Sequence, residues 1–189
     1  TVTFTNTPSA VSNTYSGVIT LQIAGLTNGE TVVVQKFLDA NANSVIDGED
    51  LLVQQFDLKD GTSFVIGGVT NLDVPGDLNS TTGAITAALN FKNGDFMQNV
   101  IGKYLFELSS PVGHFGPITN LFSVTNFPYA QQFTGNVVNS GTNVPNAIVI
   151  LFPPPRPGHG PGSPGFLVLA NNAGGYAIQV PPGTYTPLA

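Results

Sequence analysis

Apolar and polar residues alternate along most of this chain, the period of two that sends successive side chains to opposite faces of a strand. In "GVITLQIAGL" (17–26), Ile19, Leu21 and Ile23 fall on one face, with Thr20 and Gln22 on the other. "ETVVVQKFL" (30–38) and "LLVQQFDL" (51–58) are β-branched or apolar runs of strand length. The series continues at 62–69, 84–91, 103–110 and 120–126. Turn formers separate the runs, the arrangement of an all-β sandwich or barrel. One stretch breaks the period. Around "GDFMQNVIG" (94–102), Phe96, Val100 and Ile101 approach a helical spacing, which predicts one short helix.

Composition sharpens this picture. Charged residues make up only 8% of the 189, against ~25% in ordinary domains. A hydrophobic fraction of 41%, with 13 Phe, is enough for a core and argues against a disordered chain. There is no Cys, so disulfides and thiol chemistry are excluded. No run approaches the ~20 apolar residues of a membrane span. A formal charge of −6, with the five Lys and Arg scattered, argues against nucleic acid. The sequence begins at Thr1 with no Met, as expected of a processed chain or an excised piece.

The charge is unevenly placed. All 11 acids precede residue 130, and from Gln131 to Ala189 the one formally charged side chain is Arg156. A boundary is therefore expected near 130, giving modules 1–130 and 131–189. Within the second, "FPPPRPGHGPGSPG" (152–165) is a Pro/Gly tract flanked by "NAIVILF" and "FLVLANN", as in a long hairpin loop. It is either a solvated excursion or a contact surface for a neighbouring subunit.

Four of the acids lie within twelve residues, "DANANSVIDGED" (39–50). Ca²⁺ takes six to eight oxygens, which a loop supplies from positions 1, 3, 5, 7, 9 and 12. Here these are Asp39, Asn41, Asn43, the Val45 carbonyl, Asp47 and Asp50, with Ile46 placed to anchor the loop on the core. The loop resembles those of EF-hand and dockerin-type repeats, set between strands instead of helices. It departs at Ser44, where Gly is usual, and at Asp50, where a bidentate Glu is usual; Glu49 is the alternative ligand. A solvated acidic turn is the competing reading.

"TGNVVNSGTNVPNAIVIL" (134–151) and "NNAGGYAIQVPPGTYT" (171–186) resemble carboxypeptidase regulatory-like domains, which are transthyretin-like β-sandwiches. The resemblance implies positive-φ turns at Gly141 and Gly174, a strand start at Pro145, and a reversal at Pro181, Pro182 and Gly183. It implies core faces from Tyr176 and Tyr185, and a non-catalytic spacer or binding unit. That family continues past "GTYT" with a further strand, so either the sequence was cut or a neighbouring chain supplies the strand. The expected fold is thus all-β, in two sandwich modules, the first Ig-like with the calcium loop and the second transthyretin-like.

Catalytic groupings are sparse. His114 lies near Ser109 and Ser110, but a triad needs an ordered Ser–His–acid set. His159 falls in the Pro/Gly tract, and the pairs Asp57 with Asp60 and Asp73 with Asp77 sit in turn contexts. "VIGGV" lacks the Lys of a phosphate loop. Lys36, Lys59, Lys92 and Lys103 are the lysines open to a Lys–Asn isopeptide of the kind found in Gram-positive surface domains. The expected function is a non-enzymatic, calcium-stabilised building block of a cell-surface layer, stalk or filament, extracellular and secreted. Its expected partners are copies of itself or neighbouring domains, with a polysaccharide or protein ligand left open. The alternative is an accessory binding or adhesion module of a secreted enzyme or adhesin.

Overall fold

In the computed structural model the chain is all-β, and the structure describes residues 1–66, 69–70, 74–91, 96–154 and 165–189. The first ten strands are β1 (Thr3–Thr7), β2 (Ala10–Ser12), β3 (Val18–Ala24), β4 (Thr31–Asp39), β5 (Leu51–Lys59), β6 (Val65–Ile66), β7 (Val69–Thr70), β8 (Ala84–Asn90), β9 (Gly102–Ser109) and β10 (Ile118–Thr125). They form a sheet β1-β3-β8, a sheet β2-β10-β9-β4-β5, and a small β6-β7 hairpin. The two large sheets enclose a common core containing Leu21, Ile23, Val34, Ile85, Leu108 and Phe122. This is a sandwich. Every pairing in the large sheets is antiparallel except β2 on β10.

The alternation survives in place. Ile19, Leu21 and Ile23 are all buried, and β4 buries Val32, Val34, Lys36 and Leu38. The strand expected at 62–69 is instead split between the two-residue partners β6 and β7. The expected helix is a single 3-10 turn, Phe96–Asn99. The Tyr104 hydroxyl closes it, lying 2.9 Å from the Met97 carbonyl and 2.8 Å from that of Val100. Val100, fully buried, follows the turn as a bend, and β9 begins at Gly102, which ends the helical run at once. Strands β1 and β2 gave little signal, because each is short and buries one apolar side chain, Phe4 and Val11.

Residues 126–130 lead to β11 (Gln131–Asn136), β12 (Val138–Asn139), β13 (Thr142–Asn143), β14 (Ile148–Phe152), β15 (Phe166–Leu169), β16 (Gly175–Val180) and β17 (Thr186–Leu188). β11 pairs with β16, β12 with β13, and β14 lies between β15 and β17. The flanks of the Pro/Gly tract do pair as a hairpin, β14 with β15. Most of the tract, 155–164 with Arg156 and His159, lies outside the described residues, as do Asp73 and Lys92. Gly141 and Gly174 take φ of 83° and 76°, the turn geometry expected of them. Pro145 does not start a strand. It opens the turn before β14, with Asn146 following at φ 57°, the Pro-then-Asn order that a type II turn favours. The segment after the "PPGTY" corner pairs with β14, Ile150 opposite Leu188.

β14 and β15 are apolar on both faces, and both faces are used. Val149, Leu151 and Val168 join Ile178 and Val180 in a second, smaller core. Leu167 belongs to the first core, and Ile148, Ile150 and Leu169 pack against it. Ile101 donates its backbone N–H to Leu167 at 3.0 Å. Asn126 adds a clamp, accepting from Gln179 N at 2.7 Å and donating to Gln179 O at 3.0 Å. The β14–β15 sheet is therefore a middle layer between the two cores.

Candidate metal centre

The acidic loop joins β4 to β5. Asp39 ends β4 with its side chain fully buried, and its carboxylate accepts from Asn43 N at 3.0 Å and Ser44 N at 2.9 Å. Asn41 accepts from Asn43 N at 3.0 Å, and Asn43 from Val45 N at 2.7 Å. Each is a short polar side chain turning back on the backbone two residues ahead. Asp50 closes the circuit, accepting from Ala40 N at 3.1 Å and Asp47 N at 3.1 Å. Asp47 is the focus of the open side. The amides of Asn41 and Asn43 donate to it at 3.1 and 2.7 Å, and Glu49 N at 2.9 Å.

The loop thus brings Asp39, Asn41, Asn43, Asp47 and Asp50 around one turn, with the Val45 residue exposed at its tip. Ser44 adopts φ 64° and Ala42 φ 58°, so the left-handed turn forms without Gly at a strain cost of order 1 kcal/mol. Ile46 is only half-buried and does not join either core, unlike the anchor expected of it. Glu49 binds the Asn41 amide at 3.3 Å, so it too belongs to the acidic face. Among the described residues no three His, Cys, Asp or Glu form a group able to hold a metal ion. The turn carries carboxylate, amide and carbonyl oxygens together, the classes of ligand that Ca²⁺ takes in general.

The electrostatics are those of a crowded anionic turn. Burial pushes the Asp50 carboxyl above the ordinary aspartate value, and the charges of Asp39 and Asp47 push it further, against the pull of its backbone N–H partners. Asp47 moves the other way, held down by Glu49 N and the two Asn amides. The cation nearest the turn among the described residues bonds its neutral groups. Lys103 stands opposite Asp39 across β4–β9, and its Nζ reaches the Ala42 carbonyl at 3.2 Å and Ser44 Oγ at 3.4 Å.

At the other end of the first sandwich, Glu30 gathers Ser110 and His114 from 80 and 84 residues away. His114 Nδ1 lies 2.9 Å from Glu30 Oε2, and the Ser110 hydroxyl donates to Oε1 at 3.3 Å. Serine and imidazole therefore both serve the carboxylate; Ser110 Oγ meets His114 only as acceptor from its backbone N–H, at 3.1 Å. Burial pushes the Glu30 carboxyl up, but Thr27 N, Thr27 Oγ1 and His114 outweigh it and hold the group below the ordinary glutamate value. A lowered acid stabilises the fold above its unfolded-state value and loses that contribution as pH falls through the folded one. Glu30→Gln should therefore lower the urea midpoint at pH 7, with the gap to wild type closing in acid; a gap as wide at pH 3 would contradict this assignment.

Two residues taken from sequence as turn acids prove to be buried caps. Asp77 accepts from Gly61 N, Asn79 N and Thr86 N, and Asp60 accepts from Gly29 N and Gly83 N. Lys36 is a basic side chain inside the first core. It points into the core at 2% exposure, with its Nζ 4.6 Å from the Tyr104 ring, 5.1 Å from Phe122, 5.7 Å from Phe106 and 5.8 Å from Phe91. Desolvation lowers its pKa to about 7. Rings, not an amide and an acid, surround the amine, so an isopeptide has no partner beside it among the described residues.

No protein-family model matches the chain, and no curated protein matches it. Among solved structures it is similar to macromomycin, at 14% identity and a TM-score of 0.37, over 66% of this chain and 100% of that one. It is also similar to murine CRIg, at 14% identity and a TM-score of 0.34, over 66% of this chain and 97% of that one. Likenesses this distant add nothing to the sheet topology above.

Proposed function

We propose that this chain is a non-enzymatic extracellular structural module, braced by Ca²⁺ in the β4–β5 loop, of a cell-surface layer, stalk or self-assembling filament. The observation that carries this reading is the buried Asp39 carboxylate at the end of β4, around which the loop winds back to Asp50. Asp39, Asn41, Asn43, the Val45 carbonyl, Asp47 and Asp50 would hold the ion, which supplies the positive charge this turn lacks. The gain is mechanical: β4 and β5 become pinned at the loop end of their hairpin. A shared middle layer between two cores suits a load-bearing unit, because bending at residues 126–130 would have to part apolar contacts. β5 and β17 end their sheets, and a strand end is where a second copy can add.

Calorimetry in Ca²⁺ against EDTA tests the brace. A ligand at a hundred times its Kd adds about 2.7 kcal/mol, or roughly 5–10 °C for a chain of this size. Asp47→Ala, at an exposed position, should fold normally and lose the shift. No shift in wild type, or an equal one in Asp47→Ala, would sink the calcium reading. Negative-stain images of concentrated protein test assembly: polymers support it, and a strictly monomeric chain supports the accessory-module alternative.

A further inference from the structure

The outer face of the five-stranded sheet carries one apolar row across four strands. Leu52 on β5 stands opposite Phe37 on β4, Phe37 opposite Leu105 on β9, and Leu105 opposite Leu121 on β10. Phe37 alternates with the buried Lys36 and Leu38, as Leu105 does with Tyr104 and Phe106, so the row points away from the core. Side chains directly opposite in a sheet lie ~4.5–5.5 Å apart at Cβ, which makes the four neighbours in turn. None of them belongs to either core or packs against one. Leu105, in the middle, is 1% exposed, while Leu52 and Leu121 at the ends are 45% and 54% exposed. The fold gives this row no interior to fill.

The polar rows beside it select what can lie there. On one side run Gln55, Gln35, Glu107 and Thr119, and on the other Asp39, Lys103 and Ser123. Lys103 and Glu107 stand equally far from Leu105 on β9. A partner of one charge would suit one of them and repel the other, and a neutral partner would leave both unpaired. A second copy, turned about the apolar row, answers both. A two-fold axis along the row stacks the two sheets ~10 Å apart with their strands antiparallel. Each Glu107 then meets the other copy's Lys103, and each Thr119 the other copy's Ser123. Each Gln35 meets the other copy's Asp39, whose carboxylate the acidic turn already covers. No like charges oppose each other across these strands. Lys103 has a proton to give, since the Ala42 carbonyl and Ser44 hydroxyl take two of its three Nζ hydrogens.

From this register and charge pattern we propose that two copies of the chain pack face to face through the row Leu52–Phe37–Leu105–Leu121, each Glu107 against the other copy's Lys103. This names the contact behind the assembly reading above and rests on that reading; calcium has no part in it. Four strands wide and three rows deep is less than a standard interface, so the pairing is weak and is read in concentrated protein. Sedimentation velocity of the whole chain should show wild type moving from monomer toward dimer as concentration rises. Leu121→Glu sets two carboxylates against each other and should raise the dissociation constant about tenfold or more. Glu107→Lys should raise it roughly threefold. Both side chains lie on the surface, so thermal melts of the variants should match wild type. The axis also places Leu121 against Leu121 of the other copy. The chain has no Cys, so Leu121→Cys should be joined into a covalent dimer by a short bis-maleimide, well above the level for Val138→Cys, 57% exposed in the second module. Wild type that stays monomeric at every concentration overturns this contact and the assembly reading together. Oligomers that Leu121→Glu and Glu107→Lys leave unchanged overturn this contact alone. Cross-linking of Leu121→Cys no better than that of Val138→Cys overturns the two-fold arrangement and the proposal with it.

Discussion

Lys36→Met is expected to make this protein more stable at neutral pH, not less. The Lys36 ammonium is buried among four rings, and its pKa of about 7 lies well below the ordinary lysine value of 10.5. For a base depressed on folding, the unfolded chain binds more protons between those two values, so stability rises with pH across that window. Below it the penalty is fully present. At 1.36 kcal/mol per unit the span is worth roughly 5 kcal/mol, part of it offset by the attraction of the rings for the ammonium. Methionine keeps the stem length and has no charge to desolvate. The variant should melt on the order of 10 °C higher at pH 6–7. Its urea midpoint should then be nearly flat from pH 6 to 9.5, where wild type climbs. A lower melting temperature for Lys36→Met at pH 6, or an unchanged slope, would contradict the account.

Asp39→Ala should be the most damaging change in the loop. With the carboxylate gone, Ser44 N loses its acceptor, while Asn43 N keeps only that of Asn41 Oδ1. Leaving that donor unpaired, with a cavity where the buried carboxylate stood, costs about 1–3 kcal/mol, and this part of the loss should be seen in EDTA. Any calcium-dependent gain should vanish as well. Asp39→Asn keeps an acceptor and should recover much of the EDTA stability while still weakening the ion site. Urea titrations of the three proteins, each with Ca²⁺ and with EDTA, separate the two contributions. If Asp39→Ala matches wild type in EDTA, Asp39 is not what holds the turn.

The loop could be read from sequence because its chemistry is local. Asp39, Asn41, Asn43, Asp47 and Asp50 meet through hydrogen bonds spanning at most ten residues, so spacing alone brought them together. At Ser44, where Gly is usual, the backbone takes the left-handed conformation, φ 64°. Glu30, Ser110 and His114 were unreadable for the opposite reason. Ser110 and His114 are near neighbours in sequence, but nothing near them marks Glu30, and pairing β4 with β9 and turning the chain after Ser109 brings it to them. The apolar row is similar: Leu52, Phe37, Leu105 and Leu121 lie on four strands and become one surface only when the sheet pairs.

Strand alternation was determined by the sequence, and so was the inward face of β4. Lys36 shares its parity with Val32, Val34 and Leu38, and a period of two leaves it no other side. The residues of the acidic turn were determined too, as was the apolar character of both faces of β14 and β15. The sequence did not say what those second faces would meet. Packing decided that Leu167 and Leu169 turn to the first core while Val168 enters the second. The reason is physical: periodicity and spacing act over a few residues of backbone, whereas burial depends on which sheet arrives opposite.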